Sequence, residues 1–172
     1  MNTSEKLKNI VKEKYSAIAQ SENISCCGSE SQSPEVYNIM TDDYTAVKGY
    51  NADADLSIGC GLPTQFAKIQ QGDTVIDLGS GAGNDCFIAR HEVGATGEVI
   101  GIDFTEAMIK KARTNAEKLG LNNVEFRQGD IEDMPVSDAI ADVIVSNCVL
   151  NLVPDKPKVI AEIFRTLKPG GH

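Results

Sequence analysis

The residues best able to do chemistry in this 172-residue chain are its five cysteines, Cys26, Cys27, Cys60, Cys86 and Cys148. None of their spacings forms the Cys-x-x-Cys pair of a structural zinc site. Five is odd, so they cannot all pair with one another. The first residues, Met1 to Lys14, alternate charged and apolar side chains and lack the apolar stretch of a signal peptide. A cytoplasmic setting follows, where disulfides are rare, and the cysteines read as thiols free for ligation or nucleophilic chemistry. Cys60 stands in Gly59-Cys60-Gly61, whose small neighbours leave its sulfur accessible. Cys148 follows an apolar run, within Ser146-Asn147-Cys148-Val149-Leu150-Asn151-Leu152-Val153-Pro154-Asp155-Lys156. Cys86, in Asp85-Cys86-Phe87 early in a helix, reads as a packed core residue.

The second constellation is Asp77-Leu78-Gly79-Ser80-Gly81-Ala82-Gly83, set between an apolar run and a helix. Glycines at 79, 81 and 83 permit a tight turn and a close approach of ligand to backbone. Asp103 lies ~20 residues further on, at the end of the next apolar run, where mononucleotide-binding units place an acceptor for ribose hydroxyls. A pyrophosphate-binding loop would read Gly-x-Gly-x-x-Gly. Here the pattern is Gly-x-Gly-x-Gly and an acid, Asp77, precedes it. A carboxylate there suits the ammonium and sulfonium of S-adenosylmethionine better than a pyrophosphate. Gly129-Asp130-Ile131 supplies a third acid, placed to accept from an adenine amino group. Taken singly, Asp77 could be a strand-end cap and Asp130 a turn residue. Phe104 and Met108 could flank an adenine or pack in the core.

These residues need a frame that brings them together. Val75–Leu78, Glu98–Ile102, Val124–Arg127 and Asp142–Val145 read as short buried strands. Between them the periodicity predicts helices over Asn84–Val93, Thr105–Leu119 (ended by Gly120) and Lys156–Leu167. Strands alternating with helices predict an α/β fold, a doubly wound Rossmann-like parallel sheet. Ligands in such sheets bind beyond the carboxyl ends of the strands, so Cys148 is expected to face the same cleft as the glycine loop. Residues 1–72 form a separate segment in this reading. It has a helix over Ser4–Gln20 with an apolar stripe at Leu7, Ile10, Val11, Tyr15 and Ile18, then a Ser-rich loop with Cys26-Cys27. Thr41–Gly61 is irregular, and a short helix is expected over Leu62–Ile69. Residues 73–172 form the binding core. Only four strands are visible and Pro169-Gly170-Gly171 normally leads into another, so the core reads as truncated before its last strands, with one strand edge uncovered.

Composition narrows the partners. Charge is −9 at pH 7, with no basic cluster, which disfavours nucleic acid and anionic membrane surfaces. No apolar run approaches the ~18 residues that span a bilayer.

The set Asp77, Gly79, Gly81, Asp103 and Asp130 resembles the signature of the class I methyltransferases. The resemblance implies S-adenosylmethionine as cofactor, with the loop (Gly79, Ser80, Gly81 and Gly83) under its methionine part. It implies ribose at Asp103, adenine at Asp130 and Ile131, and Asn147 at the rim. The motif Ser-Asn-Cys-Val-Leu-Asn-Leu-Val-Pro-Asp-Lys, together with Gly-Cys-Gly and an N-terminal cysteine loop, is similar to the arsenite methyltransferases. That likeness implies As(III) as methyl acceptor, held by Cys60, Cys148 and one of Cys26 or Cys27, with a thiol relay formed by both Cys26 and Cys27 as the alternative for that pair. It also implies arsenite or an arsenic–thiol conjugate as substrate, a thiol reductant such as glutathione or thioredoxin, and a role in arsenic detoxification. Soft thiolates suit soft, pyramidal As(III). Its exposed lone pair can attack a sulfonium methyl without a general base. Two other readings share parts of this pattern. One is a methyltransferase for another small molecule, such as a quinone precursor. The other is a thiol protein that sequesters metalloid without turnover, which leaves Asp77 and Asp103 unexplained.

Overall fold

The computed structural model describes residues 3–20, 44–56 and 58–172. Its centre is a four-stranded, wholly parallel sheet: β1 (Thr74–Leu78), β2 (Glu98–Asp103), β3 (Val124–Gln128) and β4 (Val143–Ser146), in the order β3-β2-β1-β4. Helices α1 (Thr3–Gln20), α2 (Pro63–Phe66), α3 (Asn84–Val93), α4 (Glu106–Leu119) and α5 (Lys156–Thr166) surround it. A single 3-10 turn, Leu150–Leu152, follows β4. The α/β class expected from the sequence is the one observed.

Alternation along each strand feeds two core layers. Val75 and Val99 face one side with Phe87, Ile109 and Phe126, while Ile76, Leu78, Ile100 and Ile102 face the other with Ile131 and Val159. Val75, Ile76 and Leu78 are wholly buried, each worth about 1.5–3 kcal/mol in apolar transfer. α4 presents Met108, Ile109, Ala112 and Ala116 to the core at helical spacing, and Gly120 ends it in the left-handed conformation with its N–H on the carbonyls of Ala116 and Glu117. α5 is started by Asp155, whose carboxylate accepts the Lys158 N–H at 3.1 Å.

Three expectations change. α1 buries Val11 and Ile18 but leaves Leu7 and Ile10 exposed, so only part of the expected stripe meets the core. The helix expected over Leu62–Ile69 shortens to Pro63–Phe66, after which Lys68 takes a positive φ of 49°. The outer edge of β4 is met by the chain's own last residue: the His172 N–H donates to the Asp142 carbonyl (3.0 Å), and the Ile144 N–H to the His172 carbonyl (2.8 Å). That is the pattern of a parallel neighbour. No helix among the described residues is long and apolar enough to cross a membrane.

Candidate functional site

The strand-to-helix turn after β1 is built by three glycines with three different duties. The N–H groups of Gly79 and Ser80 both donate to the Ile102 carbonyl, at 2.8 and 3.0 Å, folding the loop back over β2. A Cβ on Gly79 would lie 2.2 Å from Val149 Cγ2, so this glycine admits the segment after Cys148. A Cβ on Gly83 would strike the rings of Phe126 and Phe87, at 2.7 and 3.0 Å, so this one lets α3 close on the sheet. A Cβ on Gly81 would meet nothing within 4 Å. Of the three, Gly81 is the one that opens its backbone to a ligand.

It opens onto a cavity of about 130 Å³ at the carboxyl ends of the strands. Gly79, Ser80 and Gly81 line it on one side, with Asp103, Phe104, Asp130 and Ile131 further along. Asn147, Cys148 and Val149 line it too, as do Lys8, Val11 and Tyr15 of α1. Asp103 carries the loop on its carboxylate: Oδ2 accepts the Gly81 N–H at 3.1 Å and Oδ1 the Thr105 N–H at 2.8 Å. Burial raises its pKa, against the opposing pull of those two N–H groups.

Three residues expected to touch the cofactor do not line this cavity. Gly83 is turned to the two phenylalanines. Met108 is wholly buried on the inner face of α4, among the core side chains. Asp77 lies behind the glycine loop, 2 % exposed, where its Oδ2 accepts the Cys86 thiol at 3.3 Å. Its position in β1 sends its side chain toward α3 instead of forward into the cavity. Burial, then the charge of Asp85, push Asp77 up to about 8. Burial and the Asp77 carboxyl likewise push the Cys86 thiol well above its ordinary value, and the packing role expected of Cys86 fits its full burial.

Asp85, which sequence reasoning passed over, does line the cavity, as do Asp55, Asp103 and Asp130. It stands in the first turn of α3, where a carboxylate is favoured by the helix dipole; that position was the available signal. Its Oδ2 accepts the Asn147 amide at 2.9 Å, while its Oδ1 is buried and unpartnered. Burial raises its pKa, partly offset by the hydrogen bond from Asn147 and by the nearby Tyr44 hydroxyl.

Cys60 and Cys148, 88 positions apart in sequence, are joined in the structure as a disulfide, with Cα atoms 6.0 Å apart. The convergence expected of them is present; the free-thiol state is not, and Cys86 is the one free cysteine among the described residues. Cys26 and Cys27 lie outside the described residues. Cys148 has φ of +56°, a left-handed backbone that β-carbon-bearing residues seldom adopt. Asn147 beside it binds back to the Cys60 loop: its Oδ1 accepts the Cys60 N–H at 3.0 Å, and its Nδ2 lies 2.9 Å from the Gly61 carbonyl and 2.8 Å from Tyr44 Oη, which share its two N–H groups with Asp85. Tyr44 Oη in turn donates to the Gly61 carbonyl.

Asp130, expected at the adenine, is already engaged. Lys8 Nζ of α1 sits 2.6 Å from Asp130 Oδ2 and 2.5 Å from Glu132 Oε2. Nothing in the sequence separation of over a hundred residues signals that pairing.

Comparison with known proteins gives this geometry a context. A family model described as a methyltransferase domain matches residues 69–172. An arsenite methyltransferase of Halobacterium salinarum is 44% identical over 98% of this chain and 46% of its own length. A demethylmenaquinone methyltransferase of Listeria welshimeri is 35% identical over 63% of this chain and 46% of its own length. Among solved structures, an arsenic (III) S-adenosylmethionine methyltransferase from Chlamydomonas reinhardtii superposes with a TM-score of 0.60 at 38% identity, covering 82% of this chain and 48% of that one. The chain thus spans about half the length of the curated relatives it matches.

Proposed function

The chain belongs to the methyltransferase domain family, and from that premise we propose that it serves the transfer of a methyl group from S-adenosylmethionine to trivalent arsenic held by cysteine thiolates. The observation that carries this reading is the meeting of Cys60 and Cys148 at the wall of the cavity that the glycine loop opens. The likeness to two arsenic methyltransferases supports the choice of acceptor.

The cavity fits the cofactor in its donor set. The missing side chain of Gly81 leaves space for a ligand, and Ser80 Oγ and Asp85 Oδ1 are buried polar atoms without a partner. In this assignment Ser80, Gly81 and Asp85 hold the methionine part. Asp103 takes the ribose hydroxyls, and Phe104 and Ile131 cover the adenine beside Asp130. Asp77 acts from behind, through Cys86 and the loop. S-adenosylmethionine supplies, when bound, a sulfonium methyl with its leaving group built in. The protein's contribution is then orientation and exclusion of water.

The acceptor end needs reduced cysteines. Two electrons and two protons, from a thiol reductant such as glutathione or thioredoxin, open the Cys60–Cys148 disulfide. The thiolates then displace oxygen or thiol ligands from As(III) as their protons leave. The described residues offer two such thiols, and the third falls to Cys26 or Cys27. Among the described residues no group of three or more His, Cys, Asp or Glu side chains could hold a metal ion. A cytoplasmic location and a role in arsenic detoxification belong to the same proposal.

A quinone precursor is the second reading, favoured by the Listeria relative and by Tyr44 and Asp85 beside Asn147. It leaves the two converging cysteines without a task. Reduced protein incubated with arsenite, a demethylated quinol and methyl-labelled S-adenosylmethionine separates the two. Label in methylated arsenic supports the first reading, and label in the quinol replaces it with the second.

A further inference from the structure

Asn147 does more than rim the cavity. Resting on the reading above, we propose that Asn147 is the positioning residue that sets Cys60 against Cys148, by clamping the Gly59–Cys60–Gly61 backbone from one covalent neighbour of Cys148.

The clamp is visible atom by atom. The Cys60 N–H donates to Asn147 Oδ1 at 3.0 Å. The second carbonyl along, that of Gly61, accepts from Asn147 Nδ2 at 2.9 Å. One carboxamide thus takes both the donor and the acceptor that flank the Cys60–Gly61 peptide. On the other side, a Cβ at Gly59 would lie 2.9 Å from Asn147 Nδ2 and 2.9 Å from Tyr44 Oη, so the glycine before Cys60 makes room for the amide. The glycines around Cys60, which the sequence offered as a way to keep its sulfur accessible, also let the clamp close.

The amide's orientation follows from its partners. The Cys60 N–H requires an acceptor, whereas the Gly61 carbonyl and the Asp85 carboxylate, 2.9 Å from Nδ2, require donors. Asparagine supplies both kinds in one planar group. Aspartate at 147 could still accept from Cys60 but would turn a carboxylate on Asp85 and on the Gly61 carbonyl. Leucine would fill the volume and satisfy none of them, leaving the largely buried Asp85 carboxylate without its donor. Tyr44 Oη donates to the same Gly61 carbonyl and stands 2.8 Å from Asn147 Nδ2, an acceptor that shares the two amide hydrogens with Gly61 and Asp85.

Because the bond from Asn147 to Cys148 is covalent, the two sulfurs are located by a single side chain and its own backbone. Two thiols held at a fixed separation behave as if at high effective concentration. That quantity can be read without arsenic, from the exchange in which the protein disulfide and two glutathione thiols give the protein dithiol and one glutathione disulfide.

The test uses the whole chain with Cys26→Ser and Cys27→Ser, so that only the pair of interest exchanges. Asn147→Ala is expected to shift that equilibrium toward the dithiol at least tenfold. Tyr44→Phe, which keeps the amide and removes one of its acceptors, is expected to shift it about threefold in the same direction, and it stands in if Asn147→Ala does not fold. In the native cysteine set, arsenite should bind Asn147→Ala at least tenfold more weakly than wild type. An unchanged exchange equilibrium in folded Asn147→Ala, or in Tyr44→Phe if Asn147→Ala does not fold, overturns the inference. Failure of wild type to bind arsenite overturns the function reading instead, and the glutathione equilibrium still decides the role of Asn147.

Discussion

Val149 fills the place that a side chain on Gly79 would need: the missing Cβ would lie 2.2 Å from Val149 Cγ2. Gly79 is also at φ +74°. The glycine loop and the segment after Cys148 are therefore fitted to each other. Gly79→Ala combines overpacking with a left-handed alanine and should lower stability by roughly 2–4 kcal/mol. Gly81→Ala meets no atom within 4 Å and should lose only roughly 1–2 kcal/mol through its backbone. Its methyl would point into the cavity, however, and should weaken S-adenosylmethionine binding at least tenfold. Denaturant unfolding and equilibrium dialysis of the two variants check the contrast.

Cys148 holds a left-handed backbone at φ +56°. Removing its thiol as Cys148→Gly relieves that strain, whereas Cys148→Ala keeps it. The glycine variant should be the more stable of the two by about 1 kcal/mol, although both lose the sulfur. Unfolding under reducing conditions gives the difference, and an alanine variant as stable as the glycine one would contradict it.

Asp77 sets a pH dependence. An unfolded aspartate ionises near pH ~3.9, while burial and Asp85 hold the native one protonated to about 8. Between those values the native state binds a proton that the unfolded state lacks, so stability is highest at the low end and falls as pH rises through the window. Asp77→Asn, which stays neutral and can still accept from Cys86, should flatten this slope. At pH 8 its unfolding equilibrium constant should be at least tenfold more favourable to the native state than at wild type, about 1.4 kcal/mol. Unfolding curves of reduced protein from pH 5 to pH 8 measure both slopes.

Lys8 bridges Asp130 and Glu132 beside the cavity. Lys8 and Asp130 are partly exposed, whereas Glu132 is nearly buried. Lys8→Met leaves two neighbouring carboxylates without their shared cation and should lower stability by about 1 kcal/mol in low salt, less at high ionic strength. Melting temperatures at two salt concentrations test this.

Much of this architecture is legible in the chain. The limits of α3 and the ends of β2 and α4 follow from apolar runs and from Gly120, because local periodicity and capping decide them. Asp103 is legible for the same reason, standing where a strand gives way to a helix. The two acids around the glycine loop were harder. Asp77 and Asp85 are equally suggestive as letters, but the strand points one behind the loop and the first turn of α3 presents the other to the cavity. Asn147 could be placed near the site from its strand, yet its clamp on Cys60 depends on a segment 87 positions away. Lys8 on Asp130 is likewise a product of packing, and no local pattern encodes it.

The most direct measurement is native mass spectrometry of the reduced chain with arsenite, on wild type, Cys60→Ser and Cys148→Ser. The account requires one arsenic atom bound to wild type with the loss of three thiol protons, and none retained by either variant. Arsenic bound equally well by both variants would place it on Cys26 and Cys27 alone and contradict the site described here.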